Sequence, residues 1–229
     1  GLVQSVRSGQ VAVANALDNV AGAPSLSSIV QQLTLQNAAG VQRGLRQLGG
    51  EIVGSTASIK IQTTDALLRT TANHLQQRTS GRTGFVPMSA GQYLPGLGTQ
   101  VAAPVASDSN SFSGWVQGVG IGGHASGNGN YAGLNYSVGG TTFGSDAQFD
   151  DTIIGVGGGY SHTGVGQQQA MGDASINSLH LNLYGMHHWE SAYVIGIIGY
   201  GHDEFLTKRN INIGGLQNVA RGDYAGDEF

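Results

Sequence analysis

The stretch WVQGVGIGGHASGNGNYAGLNYSVGGTTFGSD, residues 115–146, decides the fold, because its bulky residues recur at every second position. Trp115, Val119 and Ile121 share one face with Gln117, while Val116, Gly118, Gly120 and Gly122 occupy the other. Leu134, Tyr136 and Val138 then alternate with Gly133, Asn135, Ser137 and Gly139. The same period returns downstream. Ile154, Val156 and Tyr160 oppose Gly155, Gly157, Gly159 and Ser161, and Leu179, Leu181 and Leu183 oppose Ser178, His180, Asn182 and Tyr184. A fifth run, Tyr193 to Tyr200, is apolar on both faces. Period two over successive segments predicts an antiparallel, up-and-down all-β unit.

The composition of the two faces says what surrounds the strands. In a soluble sandwich the face turned to water carries Lys, Glu and Thr. Here that face is mostly glycine, serine and asparagine, and no basic residue occurs between Arg82 and Lys208. Bulky residues against lipid and small or polar ones toward a lumen are the pattern of a membrane β-barrel. On that reading the lipid-facing residues are Trp115, Val119, Ile121, Leu134, Tyr136, Val138, Leu179, Leu181 and Leu183. The lumen-facing residues are Gly118, Gly120, Asn135, Ser137, His180 and Asn182. Trp115, Tyr160, Trp189 and Tyr193 stand where interfacial aromatic girdles are expected. Connections alternate, long at 123–131, 163–176 and from 203, short at 145–150 and 187–191, as short turns at one barrel rim and long loops at the other require.

Upstream the period changes. Leu26, Ile29, Val30 and Leu33 fall at helical spacing after Pro24, with Ser25 placed to cap. Val41, Leu45 and Leu48 form a second stripe, interrupted by Gly49 and Gly50, and Val53, Ala57, Ile61, Leu68, Ala72 and Leu75 run down a longer third segment. Residues 79–113 hold three of the four prolines and no sustained period, which marks a linker and a boundary near residue 110.

The whole chain of 229 residues fits this division. It holds 39 glycines, where ~7 % usage would give about 16. The first 107 residues carry seven Lys and Arg against three Asp and Glu, the remainder three against eleven. A net charge of −4 argues against a nucleic-acid partner. The absence of Cys excludes disulfides, thiolate metal sites and cysteine nucleophiles.

Residues 115–146 resemble the first two strands of the β-domain of bacterial autotransporters, the type V secretion proteins. IIGVGGGYSHT at 153–163 is similar to the third strand, LHLNLYG at 179–185 to the fourth, and INIGGLQNVARGDYAGDEF at 211–229 to a fifth loop running into a sixth strand. GQVAVANALDNV at 9–20 and LRQLGGEIVGSTAS at 45–58 resemble the segment that joins an exported passenger to its barrel. The resemblance implies a twelve-stranded barrel in the bacterial outer membrane, of which about five to six strands lie in these residues. It also implies a helix in the pore, for which residues 51–77 are the candidate, held by Thr, Gln and Asn contacts. Its role is to export or anchor an N-terminal passenger at the cell surface. Residues 1–110 are then the helical passenger end and linker, and 111–229 the N-terminal half of the barrel. Implied partners are outer-membrane lipid, the barrel assembly machinery and the chain's own passenger. An open six-stranded sheet leaves unpaired edges in a bilayer, so these residues alone are not expected to translocate.

Other motifs carry less. Gly118, Gly120 and Gly123 satisfy GxGxxG, but a Gly/Asn loop follows and not the helix that a dinucleotide site needs. Arg221, Gly222 and Asp223 spell an integrin tripeptide at the edge of a strand. His180, His187, His188 and Glu190 lack metal-ligand spacing, and Asp150 and Asp151 occupy a turn without an apolar pocket. No catalytic residue, cofactor or metal is assigned, and the chain reads as a non-enzyme. Two other classes stay open: a glycine-rich structural or adhesive surface β-module without membrane insertion, and an enzyme for which no residue speaks. Detergent-free solubility separates the first of these from a barrel.

Overall fold

The computed structural model describes residues 10–19, 23–80, 112–127 and 132–229. Four helices precede six strands. The helices are α1 (Val11–Asn19), α2 (Pro24–Thr34), α3 (Ala38–Gly49) and α4 (Glu51–Ser80). The strands are β1 (Phe112–Ala125), β2 (Leu134–Phe149), β3 (Thr152–Gln167), β4 (Gly172–Trp189), β5 (Ala192–Ile213) and β6 (Leu216–Glu228). They form one antiparallel sheet in sequence order, with β1 and β6 at its two edges. The sheet wraps part-way around α4. The linker and the expected boundary near residue 110 lie outside the described residues.

The helices stop for local reasons. Asn37 caps α3, its Oδ1 accepting from the Gly40 amide at 2.9 Å. Gly50, at φ +67°, ends α3 in the left-handed conformation that glycine adopts without a Cβ clash, and α4 begins at the next residue. The N-cap position of α2 falls at residue 23 and not at Ser25. Ala23 makes no side-chain bond there, and Pro24 opens the helix because its missing N–H is an orphan there in any case.

α4 lies along the concave face of the sheet. Ile52 and Ile59 pack with Leu134, Val165 and Ala174, then Ala66 and Leu67 with Val119, Ile121 and Val138. Near its C-terminus Leu75 packs with Trp115, Ile153, Tyr184 and Met186. The buried stripe is therefore rotated from the predicted one, since Val53, Ile61 and Leu68 stand exposed. No helix among the described residues is long and apolar enough to cross a membrane by itself.

The connections differ from the predicted pattern. β3 continues to Gln167, β4 starts at Gly172, and β5 runs to Ile213 before the two-residue turn at Gly214 and Gly215. Most of 163–176 and the residues from 203 to 213, read as long loops, are strand that rises beyond the apolar band as a tall wall, while the connection at 123–131 lies partly outside the described residues. Polar residues on both faces disguise the wall. α3 docks inside this wall, where Ala14, Leu17, Leu33, Val41 and Leu45 enclose Ile213. Arg209 Nη1 donates to the Leu48 carbonyl at 3.0 Å, satisfying an orphan acceptor at the C-terminus of α3.

Candidate functional site

The candidate site is the contact between α4 and the concave wall, where polar residues of a mid-helix stripe meet wall carboxylates. Lys60 is buried, and its Nζ lies 2.7 Å from Glu228 Oε1 and 3.0 Å from Asp203 Oδ1. Thr64 Oγ1 accepts from Lys60 Nζ at 2.9 Å and stands 3.1 Å from Glu228 Oε1. His180 Nδ1 is 3.2 Å from the same carboxylate oxygen. These wall residues sit at matched register: His180 on β4 faces Gly201 on β5, which faces Glu228 on β6.

A second anchor lies about four helical turns toward the C-terminus. Asp146 is fully buried on β2, with His74 Nε2 at 2.6 Å and Arg78 Nε at 3.0 Å. The Tyr184 hydroxyl donates to Asp146 Oδ2 at 3.1 Å, and Trp115 Nε1 donates to that hydroxyl at 2.7 Å. The His74 and Trp115 rings stack at 4.8 Å. Between the anchors Thr70 and Thr142 hydroxyls meet at 3.0 Å. Buried charges are costly unless paired, and both anchors pair helix cations with wall anions.

The structure corrects six of the nine residues expected to face lipid. Trp115, Val119, Ile121, Leu134 and Val138 are buried on the concave face, and Tyr136 packs there beside them. Gly118, Gly120, Asn135 and Ser137, expected in the lumen, therefore lie on the convex face of β1 and β2. The physical reason is α4 itself: where the helix packs on the sheet, the concave face is a hydrophobic core and bulky residues turn toward it. β4 has the opposite sense. Leu179, Leu181 and Leu183 stand 54–57 % exposed on the convex face, while His180 and Asn182 share the concave side with buried Tyr184. Thr and Gln contribute to docking, through Thr64, Thr70 and Gln76, whose Nε2 reaches the Tyr193 hydroxyl at 3.5 Å. Lys60, His74, Arg78, Asp146, Asp203 and Glu228 were not singled out from the sequence. Their signal is faint: Lys60 is a single basic residue between Arg46 and Arg69 in a Thr-rich helix.

The convex face carries a continuous apolar band. Phe143, Ile154, Val156, Leu181, Leu183 and Ile198 are all at least half exposed. Tyr160 and Tyr200 border it on one side, Phe112, Phe149 and Trp189 on the other. From Leu179 to Trp189 β4 covers about 33 Å, or about 23 Å of height at ~45° tilt, close to the apolar band of an outer-membrane barrel. Water does not leave such a surface uncovered.

The family model described as the autotransporter beta-domain matches residues 114–229. The chain belongs to the autotransporter β-domain family. Autotransporter membership places it in the bacterial outer membrane at the cell surface and gives the domain a translocator role, which is not a catalytic one. Two relatives described as an extracellular serine protease from Serratia marcescens are each 29 % identical over 207 residues. The match covers 90 % of this chain and 17 % of each relative, so the autotransporter chain spans about a sixth of their length. No solved structure matches it.

Proposed function

We propose that this chain exports, or anchors at the cell surface, a passenger carried N-terminal to α1, with α4 as the segment that occupies the pore. The observation that carries the reading is the seating of Lys60, His74 and Arg78 of α4 on Asp203, Glu228 and Asp146 of the wall. The polarity of α4 supports it: the C-terminal end lies by the short turns at Asp150 and Asp151, and the N-terminal end leads to α1–α3 at the tall rim. The six strands work within a closed ring, because edges left unpaired at β1 and β6 would leave backbone groups unsatisfied in hydrocarbon. The 229 residues by themselves therefore neither seal a pore nor translocate. Leu179, Leu181 and Leu183 contact outer-membrane lipid, and the barrel assembly machinery delivers the strands there. Protease activity is a property named for the Serratia relatives and is not carried over to these residues.

An epitope placed ahead of residue 10 in the natural protein tests this in bacteria with an outer membrane. External protease should remove the epitope from intact cells, and deletion of residues 51–80 should abolish its surface exposure. Surface exposure unchanged by that deletion would overturn the role of α4. The apolar band speaks against a water-soluble adhesive module, which would leave it in contact with solvent.

A further inference from the structure

Lys60 fills a cluster of ligand atoms that a metal ion would recognise. His180, Asp203 and Glu228 come from three neighbouring strands and each aims one ligand atom at a shared point, all within 4.8 Å of one another. The Lys60 ammonium lies at that point, 2.7 Å and 3.0 Å from the two carboxylates and 3.4 Å from His180 Nε2. Gly201 makes the convergence possible, since a Cβ there would stand 2.6 Å from Glu228 Oε1. The balance of charge is incomplete: two carboxylates face one ammonium, and a divalent ion would neutralise both.

We propose that His180, Asp203 and Glu228 form a divalent transition-metal site in the lumen wall, and that Lys60 is its tethered competitor, so that helix seating and metal binding exclude each other. One imidazole and two carboxylates are a donor set for zinc-like ions, which bind N and O ligands at about 2.0–2.2 Å. The atoms need to draw together by roughly an ångström from their present spread to meet that geometry. Before α4 is in place, two carboxylates sit unpaired in a confined space, and a divalent cation is the natural counter-charge. By linkage, whatever the ion gains from the empty site is subtracted from helix docking. This competition rests on α4 entering the lumen as a separate step, the reading given above, whereas the ligand set itself does not.

The test uses the natural protein in detergent, with Lys60→Ala, Lys60→Ser and the double variant Lys60→Ala/His180→Ala, each shown to be folded by heat-modifiable migration. Zn²⁺ is titrated by calorimetry and Co²⁺ by its visible ligand-field bands. Lys60→Ala and Lys60→Ser are expected to bind one equivalent. A helix seated about 99 % of the time weakens the apparent affinity of the unsubstituted protein about 100-fold. Removing His180 should weaken binding by at least about tenfold and abolish the nitrogen-ligated Co²⁺ spectrum. Folded Lys60 variants that bind no metal, or binding of equal strength in the unsubstituted protein or after His180→Ala, would overturn the site. Binding by Lys60→Ala without any effect of Zn²⁺ on α4 protection in the unsubstituted protein would overturn the competition and leave the ligand set standing.

Discussion

Trp115 Nε1 donates a 2.7 Å hydrogen bond to the Tyr184 hydroxyl, joining β1 to β4 across two intervening strands. Side chains on those strands would block it. Gly144 on β2 and Gly155 on β3 leave the passage open, and a Cβ on Gly144 would lie 2.8 Å from the indole ring. The bond then continues through Asp146 to His74 and Arg78, so the end of α4 is fastened to three strands, β1, β2 and β4, through one buried carboxylate.

Gly144→Leu places a side chain inside that passage. Overpacking of this kind costs about 1–3 kcal/mol. Urea unfolding of the detergent-folded protein should show the loss, and Gly196→Ala, where a Cβ meets nothing within 4 Å, serves as the neutral control.

Removing the carboxylate is worse than crowding it. Asp146→Ala leaves His74 and Arg78 beside a buried hole without an anion, a change that costs about 3–5 kcal/mol when one partner of a buried pair is lost. Limited proteolysis should cut the C-terminal half of α4 in this variant before the strands are attacked. Simultaneous protection of both would contradict a local role.

The two tryptophans report the two faces. Trp115 is 4 % exposed against α4, whereas Trp189 is 52 % exposed on the convex side. In vesicles made with brominated lipids, a Trp115→Phe protein should lose most of its remaining fluorescence to quenching and a Trp189→Phe protein should keep it. The reverse ordering would invert the faces of the sheet.

Leu181→Arg puts a charge on the convex band near its middle. On the lipid side of a barrel this costs about 2–4 kcal/mol. Folding into vesicles should be impaired to that extent, while Asn182→Asp, on the other face of the same strand, should be tolerated.

The strands themselves were legible in the sequence, since alternation is a local property that Trp115 to Val138 display without reference to anything distant. The direction of the alternation was not. Bulky against small tells that the faces differ, but in β1 and β2 the bulky face is claimed by α4, whose docking is settled by residues far along the chain. Lys60 and Glu228 are 168 positions apart. In β4 the repeated leucines face away from the helix, where no such competitor exists. The upper part of β5 was hidden for another reason: His202 to Asn212 carries charge or amide on both faces, as a loop does, yet Ile211 and Ile213 alternate with Asn210 and Asn212 and both meet the N-terminal helices. Asp146 stands among neutral residues, while Asp203 and Glu228 each adjoin a second carboxylate, Glu204 and Asp227, and nothing local tells which of the two faces the helix.

The docking of α3 on the tip of β5 also has a mechanical meaning. In the orientation proposed for export, a tug on the chain from outside the cell arrives first at the contacts of Leu45 with Ile213 and of Arg209 with Leu48, and only afterwards at Lys60. The collar of strand above the membrane is thus a strain relief, yielding or holding at the rim before any load reaches the ion pairs deep in the channel.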